Sequence, residues 1–248
     1  MGRQKILIAS PTYDGSVRAE FMRSVLALTD SLRDSNIAWQ VFMEQSSQLH
    51  VMRSVMASKC LLDDDFTHVL FIDTDMGFSP STVQRMIAAD RAVIGCVSPY
   101  RTIAYHEKVS TSGSTLGEIL SENASYCAYF AKGTRSVEVL DGICEVEAIG
   151  AGILLIRRDA LETLAASSLV SKYKVKFPYF QWIDSKFYYG FFEHVVEDGS
   201  FVGEDISFCR RWRQAGGQIF GLCDETIIHV GPIPIPGRYL DRLHSGRL

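Results

Sequence analysis

The chain has 248 residues, with 25 Lys and Arg against 29 Asp and Glu, and a formal net charge of −4. Apolar residues make up 47% of the chain and charged residues 22%, which excludes a disordered, collagen-like or low-complexity protein. The mild acidity argues weakly against a protein that binds mainly nucleic-acid phosphates. The longest unbroken apolar run, residues 148–156, is far shorter than the roughly 20 residues of a membrane-spanning helix.

Short apolar runs and helix-like patterns alternate along the first 100 residues. The runs predict buried strands at 5–10, 37–43, 69–72 and 92–97. Between them, apolar residues at steps of three and four predict helices that begin near Val17, near Met52 and near Thr82. Strands that alternate with helices at these lengths indicate a parallel sheet with helices on its faces.

The second half of the chain is less regular. We expect a loop at 110–117, a strand at 145–156, a helix at 159–165, a helix at 204–215 and a strand at 218–223. The tail from Pro232 is rich in proline and should be extended or irregular. No internal repeat or linker is visible, so we expect one domain over 1–248. The six cysteines form no CxxC pair and most have apolar neighbours, which predicts free thiols packed in the core.

Two carboxylates, Asp73 and Asp75, directly follow the third predicted strand. Ligands of open parallel sheets bind outside the carboxyl ends of the strands, so both residues should stand at the rim of a site. Paired carboxylates repel each other, and a hard divalent cation such as Mg²⁺ or Mn²⁺ relieves that repulsion and bridges to phosphate oxygens. The alternative is a solvated acidic turn, like the run at 63–65.

Three kinds of enzyme use such an acidic pair. The motif of an aspartyl-nucleophile phosphatase, with Asp73 as nucleophile, has Thr or Val where this chain has Gly77. A sugar nucleotidyltransferase has a long glycine-rich loop after the first strand, which residues 11–15 do not supply. A nucleotide-sugar transferase fits the early position of the pair. A non-catalytic sugar-binding module is a further alternative.

Four segments in family order carry a resemblance: PTYDG at 11–15, THVLFIDTDMGF at 67–78, IGAGILLIRRDAL at 149–161, and GEDISFCRRWRQAGGQI at 203–219 with IIHVG at 227–231. The sequence resembles the GT-A class of glycosyltransferases, and more narrowly a group of small bacterial and bacteriophage GT-A proteins. The resemblance implies an α/β fold with a Rossmann-like, mostly parallel sheet flanked by helices. It also implies a nucleotide-binding half at 1–105, and an acceptor-binding half with a C-terminal tail at 106–248.

The resemblance further implies a hexosyl- or pentosyltransferase that moves a sugar from a nucleotide-sugar donor, with a UDP-sugar expected. The residues that would bind this donor are Pro11, Thr12, Tyr13, Asp14, Arg53, Asp73, Thr74 and Arg101. For Arg53 the alternative is an ordinary surface arginine, and for Arg101 a solvated side chain. A metal ion, Mn²⁺ or Mg²⁺, would be held by Asp73, Asp75 and His229.

Many inverting members of the class place the general base at an acidic pair that opens a helix. Here that pair is Glu204 and Asp205, with Asp205 expected to remove the acceptor hydroxyl's proton and Glu204 to bind the acceptor or to replace Asp205. The alternative is that acidic residues simply favour a helix N-terminus, and a retaining enzyme would need neither residue as a base.

The sequence says least about which residues bind the acceptor and what the acceptor is. The resemblance places Gly150, Gly152 and Trp182 there, and residues 173–192 hold ten of the 27 aromatic residues, interleaved with lysines. This segment could shape an acceptor site, form an apolar core or make a homo-oligomer interface. A glycan, a lipid-linked sugar, a protein hydroxyl or a hydroxymethylated base of phage DNA are all compatible acceptors. Without a secretion-signal pattern at its N-terminus, the protein is expected in the cytoplasm of a bacterium or of a phage-infected host.

Overall fold

A computed structural model describes residues 4–103, 115–175 and 186–244 of the chain. Seven helices lie in these ranges: α1 Ala19–Asp34, α2 Leu49–Leu62, α3 Pro80–Ala88, α4 Leu116–Asn123, α5 Arg158–Ala166, α6 Glu204–Gln214 and α7 Tyr239–His244. The strands of the first half are β1 Lys5–Thr12, β2 Ala38–Gln45, β3 His68–Ile72, β4 Met76–Gly77, β5 Val93–Cys96, β6 Pro99–Ile103, β7 Ala124–Tyr126 and β8 Ala128–Tyr129. Those of the second half are β9 Ile143–Val146, β10 Ala148–Ile149, β11 Ile153–Arg157, β12 Lys172–Lys174, β13 Phe187–Tyr189, β14 Val195–Glu197, β15 Ser200–Val202, β16 Ile219–Leu222, β17 Ile227–Val230 and β18 Pro234–Gly237.

A seven-stranded sheet forms the centre of the fold, in the order β2-β1-β3-β11-β5-β16-β9. Strands β2, β1, β3, β5 and β16 run in one direction, while β11 and β9 run in the other. Along β1, Leu7 and Ala9 pack into one apolar cluster and Ile6 and Ile8 into the other, so both faces of the sheet are covered. A strand buried on both faces needs a continuous apolar run, which is the pattern of residues 5–10. The predicted α/β fold with a mostly parallel, helix-flanked sheet is confirmed.

The single strand expected at 145–156 is wrong, because the chain there forms β9, β10 and β11. Strand β9 lies at the edge of the central sheet beside β16, whereas β11 lies between β3 and β5. The chain must therefore leave the edge and return to the middle, and it does so through the turn around Gly150 and Gly152. Strand β11 is antiparallel to both neighbours, an exception within the mostly parallel sheet that the sequence leads us to expect.

The C-terminal tail is more ordered than its prolines predict. Strand β18 contains Pro234 and Pro236 and pairs only with β17, at the edge of the three-stranded sheet β18-β17-β4. Proline is tolerated at such an edge because one side of the strand needs no hydrogen-bond donors. The helix α7 that follows was not predicted, and its Tyr239 is buried with its ring centroid 5.1 Å from that of Tyr126.

All six cysteines are free thiols, and five of them are buried, as the sequence predicts; Cys127 is half-buried. In the described part of the chain, no helix combines the length and the apolar character needed to cross a membrane.

Candidate functional site

The acidic pair, Asp73 and Asp75, lies on a short turn between β3 and β4. Backbone hydrogen bonds connect this turn to other segments of the chain. The amide of Asp73 donates to the carbonyl of Gly152 at 2.9 Å, and the carbonyl of Thr74 accepts from the amide of Arg18 at 2.9 Å. The carbonyl of Asp75 accepts from the amide of Val230, also at 2.9 Å. These bonds connect the turn to three distant segments, which fixes the position of its backbone.

Asp73 is bound by a buried arginine. The side chain of Arg53, on the second turn of α2, is only 2% exposed, and its Nη2 donates to Asp73 Oδ1 at 2.6 Å. Its Nε lies 3.4 Å from Glu204 Oε1, and its Nη1 lies 3.4 Å from the carbonyl oxygen of Ala151. Burial alone would lower the pKa of Arg53, but the carboxylates of Asp73 and Glu204 outweigh it and raise that pKa. The alternative of a surface arginine is wrong.

Asp75 meets a histidine that the fold brings from 154 positions along the chain. Strand β17 pairs with β4 and places His229 opposite Met76. The Nδ1 of His229 lies 2.7 Å from the carbonyl oxygen of Pro99, and since a carbonyl only accepts, Nδ1 carries the proton. The other ring nitrogen, Nε2, lies 3.5 Å from Asp75 Oδ2.

Arg101 completes this group by donating from Nη1 to the same Asp75 Oδ2 at 3.0 Å. Burial acts to raise the pKa of Asp75, but His229 and Arg101 prevail and hold that pKa below its usual value. Asp75 therefore stays ionised near neutral pH. The Arg101 side chain is 58% exposed, so it lies on the open side of the carboxylate.

Glu204 and Asp205 form the first turn of α6, as the sequence predicts for a helix that begins there. The Oδ1 of Asp205 accepts a hydrogen bond from the amide of Ile206 at 2.7 Å. Burial, with a smaller contribution from the neighbouring Glu204 charge, raises the pKa of Asp205 above its ordinary value. A carboxylate with a raised pKa is a stronger base, which suits proton removal.

Two cavities adjoin at these residues. The Asp205 cavity, of about 360 Å³, is lined by Glu204 and Asp205, by the turn 150–152 and by His229, among others. The Tyr13 cavity, of about 310 Å³, is lined by Tyr13, Asp14, Thr74 and Asp75, among others. Leu49, Asp73 and Arg101 line both cavities, so a single extended ligand could occupy the two. The contact between Asp75 and His229 joins a residue of one cavity to a residue of the other.

Most of the residues predicted to bind a nucleotide sugar line one of these cavities. The Tyr13 cavity has Pro11, Tyr13, Asp14, Asp73, Thr74 and Arg101 in its lining, and the Asp205 cavity has Arg53. Thr12 is buried instead, and its hydroxyl accepts a hydrogen bond from the amide of Gly15 at 2.8 Å, so its side chain orders the turn. The Ser16 hydroxyl and amide bind Asp14 and lower its pKa.

Of the three residues predicted to bind the acceptor, two line a cavity and the third lies outside the described residues. Gly150 and Gly152 line the Asp205 cavity. A Cβ atom at Gly150 would lie 2.5 Å from Cys127 Sγ and 3.3 Å from its Cβ, so close packing favours glycine there. A Cβ atom at Gly152 would lie 2.2 Å from Met76 Cε, the movable end of a flexible side chain. Trp182 lies outside the described residues.

The aromatic segment 173–192 serves partly as core. Phe191 and Phe192 are fully buried, and Phe192 stacks on Phe208 of α6 with centroids 4.7 Å apart. Lys172, just before the segment, places its Nζ 3.5 Å from the centroid of the Phe187 ring. Residues 176–185 of the segment lie outside the described ranges, so a role for it in acceptor binding or oligomerisation stays a prediction.

Sequence reasoning missed several lining residues. Arg18 and Leu49 line the Tyr13 cavity, and Tyr100 lines the Asp205 cavity. Arg18 directly precedes α1 and follows the turn after β1, so a basic residue in the loop after the first strand was an available signal. Leu49 and Tyr100 carry no such signal, because nothing local distinguishes an apolar residue at a cavity mouth from one in the core.

Comparisons with protein-family models and with curated proteins found no match to this sequence. A comparison with solved structures found similarity to A197 from STIV, at 17% identity and a TM-score of 0.47, over 92% of this chain and 86% of that one. A Drosophila β-1,4-galactosyltransferase 7 mutant, solved with manganese, UDP-Gal and xylobiose, is similar at 16% identity and a TM-score of 0.40, over 98% and 74%. S. aureus TarS in complex with UDP-GlcNAc is similar at 13% identity and a TM-score of 0.40, over 89% and 56%.

One of these three structures is a galactosyltransferase by its name. All three similarities lie below 25% identity and below a TM-score of 0.5. The chemistry of the site must therefore be argued from the residues of this chain.

Proposed function

We propose that the protein is a metal-dependent glycosyltransferase that moves a sugar from a nucleotide-sugar donor, expected to be a UDP-sugar, to an acceptor hydroxyl. The observation that carries the proposal is the junction of the two cavities. Asp73 and Arg101 line both cavities there, and the Asp75–His229 contact spans them. A donor has the same layout, with a nucleoside at one end, a sugar at the other and a diphosphate between them.

The Tyr13 cavity suits the nucleoside. Tyr13 is 76% exposed, so its ring is free to stack on a base without rearranging the core. Asp14 offers a carboxylate for ribose hydroxyls, and Arg18 and Arg101 offer positive charge for phosphates. In this proposal residues 1–105 bind most of the nucleotide, and residues 106–248 supply the acceptor side.

The donor atoms at the junction fit a divalent cation. Among the described residues no three His, Cys, Asp or Glu side chains converge on a common point, so the chain would contribute Asp75 and His229, and the diphosphate and water the rest. The histidine has the arrangement expected of a ligand, since Nδ1 donates to a backbone carbonyl and leaves Nε2 available. Asp73 has Oδ1 engaged by Arg53, so we assign it a supporting place beside the ion. A bound Mn²⁺ or Mg²⁺ would stabilise the negative charge of the departing nucleoside diphosphate.

The acceptor would enter the Asp205 cavity. Asp205 accepts the proton of the attacking hydroxyl at a carboxylate oxygen, while the walls around Gly150 and Gly152 let a sugar ring approach the backbone. Arg101, on the open side of Asp75, is placed to turn toward phosphate oxygens. A glycan or a hydroxymethylated base of phage DNA are the acceptors that we propose.

A donor screen tests the proposal. Release of nucleoside diphosphate from UDP- and GDP-sugars is measured with Mn²⁺ and with chelator, and calorimetry measures the binding of UDP and GDP with Mn²⁺. We expect metal-dependent binding and release, both lost in Asp75→Ala. No binding of either nucleoside diphosphate in the presence of metal would overturn the proposal, and release of phosphate from simple phosphomonoesters would favour a phosphatase instead.

A further inference from the structure

Three carboxylates line the Asp205 cavity, and a single buried guanidinium contacts two of them. Arg53 donates to Asp73 at 2.6 Å and lies 3.4 Å from Glu204. Asp73 follows β3, and Glu204 opens α6, so the two acidic residues are 131 positions apart in the chain. The third carboxylate, Asp205, accepts a hydrogen bond from the backbone amide of Ile206.

Each nitrogen of the Arg53 guanidinium contacts an acceptor inside the protein. Its Nη2 meets Asp73, its Nε meets Glu204, and its Nη1 meets the carbonyl of Ala151. The guanidinium carbon also lies 5.5 Å from the centroid of the Phe71 ring. A side chain only 2% exposed and held in this way is poorly placed to bind a diphosphate, although the resemblance implies that it binds the nucleotide.

The position of Glu204 decides where Asp205 points. The two residues are adjacent in the first turn of α6, and successive side chains on a helix leave in different directions. The buried face of α6, which includes Phe208, fixes the rotation of the helix, and the contact of Glu204 with Arg53 of α2 holds its first turn, where Asp205 lies. The planar guanidinium can hold two carboxylates at once in fixed positions, which a lysine ammonium on a flexible stem cannot do.

We propose that Arg53 is a positioning residue that fixes Glu204, and through it the catalytic direction of Asp205, rather than a ligand of the donor. The inference rests on the proposed function, because it assigns Asp205 the role of base. It gives Glu204 a structural partner and leaves Asp205 as the carboxylate free to reach an acceptor.

A double-mutant cycle tests this assignment with Arg53→Lys, Glu204→Ala and the double variant. Lysine keeps the buried positive charge and can keep the contact with Asp73, so the fold should survive. We expect Arg53→Lys to lower kcat by about tenfold and to leave the donor KM within about twofold, because a misdirected base slows the reaction without weakening donor binding. In the Glu204→Ala background, Arg53→Lys should leave kcat almost unchanged, because the contact that lysine cannot make is already absent.

Arg158→Lys is the matched control. Arg158 also contacts two carboxylates, Asp64 at 2.5 Å and Glu162 at 2.8 Å, but it lies away from both cavities. Its replacement should leave kcat and KM unchanged.

Two results would overturn the inference. One is a rise of about tenfold in donor KM for Arg53→Lys with kcat retained, which would make Arg53 a donor-binding residue. The other is a loss of kcat in the double variant that equals the product of the losses in the two single variants. If the wild-type protein releases nucleoside diphosphate from no donor, the proposed function fails, and the unfolding equilibria of the same four proteins still test the contact. Coupling of about fivefold or more in the unfolding equilibrium supports the Arg53–Glu204 bridge, and additivity refutes it.

Discussion

Replacing Asp205 with Asn removes a proton acceptor while preserving almost everything else. The amide side chain has the same size as the carboxyl group, and its oxygen can still accept the hydrogen bond from the amide of Ile206 at 2.7 Å. The start of α6 and the shape of the cavity should therefore be retained. A positioned general base contributes about 10²–10⁴-fold to rate, so kcat should fall by that factor. The donor KM should stay close to the wild-type value, because Asp205 lines the Asp205 cavity and the nucleoside is assigned to the Tyr13 cavity.

The assay is the release of nucleoside diphosphate at saturating donor and acceptor. Asp198→Asn serves as the control, since Asp198 is an exposed acidic residue in the turn between β14 and β15, where its φ of 49° suits asparagine equally well. A kcat for Asp205→Asn within about threefold of the wild-type value would refute the base assignment. Such a result would point to a retaining reaction, which needs no base at this position.

Three further predictions concern other parts of the molecule. His229→Ala should weaken Mn²⁺ binding about 10–100-fold by calorimetry, because a nitrogen ligand is lost. Tyr13→Ala should weaken binding of the nucleoside diphosphate by about 1–3 kcal/mol through the loss of base stacking, with no change in stability. Burial and the charge of Arg157 lower the pKa of His68 below its ordinary 6.5, so the unfolded chain binds the proton more readily and stability should fall as pH drops below about 6.5.

Each of these predictions has a control and a contrary outcome. His244→Ala, at the exposed end of α7, should leave Mn²⁺ affinity unchanged, and an equal loss in both histidine variants would exclude a specific ligand role. Leu26→Ala, exposed on α1, should leave nucleotide affinity unchanged. For His68, urea midpoints at pH 7.5 and 5.5 should differ less in His68→Gln than in the wild type, and an unchanged difference would contradict the assigned cause.

Local apolar patterns predicted the first strands and helices well because those elements are buried in a simple way. Strand β1 is covered on both faces, so its apolar run has no interruption, and α1 buries Phe21, Val25, Leu28 and Leu32 at helical spacing. The place of β11 could not be predicted in the same way. Its antiparallel register, with Ile153 opposite Ile72, is set by pairing between segments about 80 residues apart.

The residues of the candidate site also differ in whether local sequence could predict them. Asp73 and Asp75 were predictable because a strand end in an open sheet places polar residues at the rim. The meeting of His229 with Asp75 depends on the register of β17 against β4, which the resemblance anticipated and local sequence could not. The burial of Arg53 had no local signal, because its helix is apolar on more than one side and an arginine there could equally face water.

The charges of the site give a reason why Asp205, and not Asp75, should be the base. Asp75 has Arg101 and His229 beside it, and Asp73 and Glu204 share Arg53. Among the described contacts of these four acidic residues, those of Asp205 alone include no cationic or imidazole group. Burial raises its pKa without a contacting positive charge to oppose it, so its carboxylate holds a transferred proton more readily than Asp75, whose pKa is lowered. The same fold thus separates a carboxylate suited to binding a cation from one suited to accepting a proton.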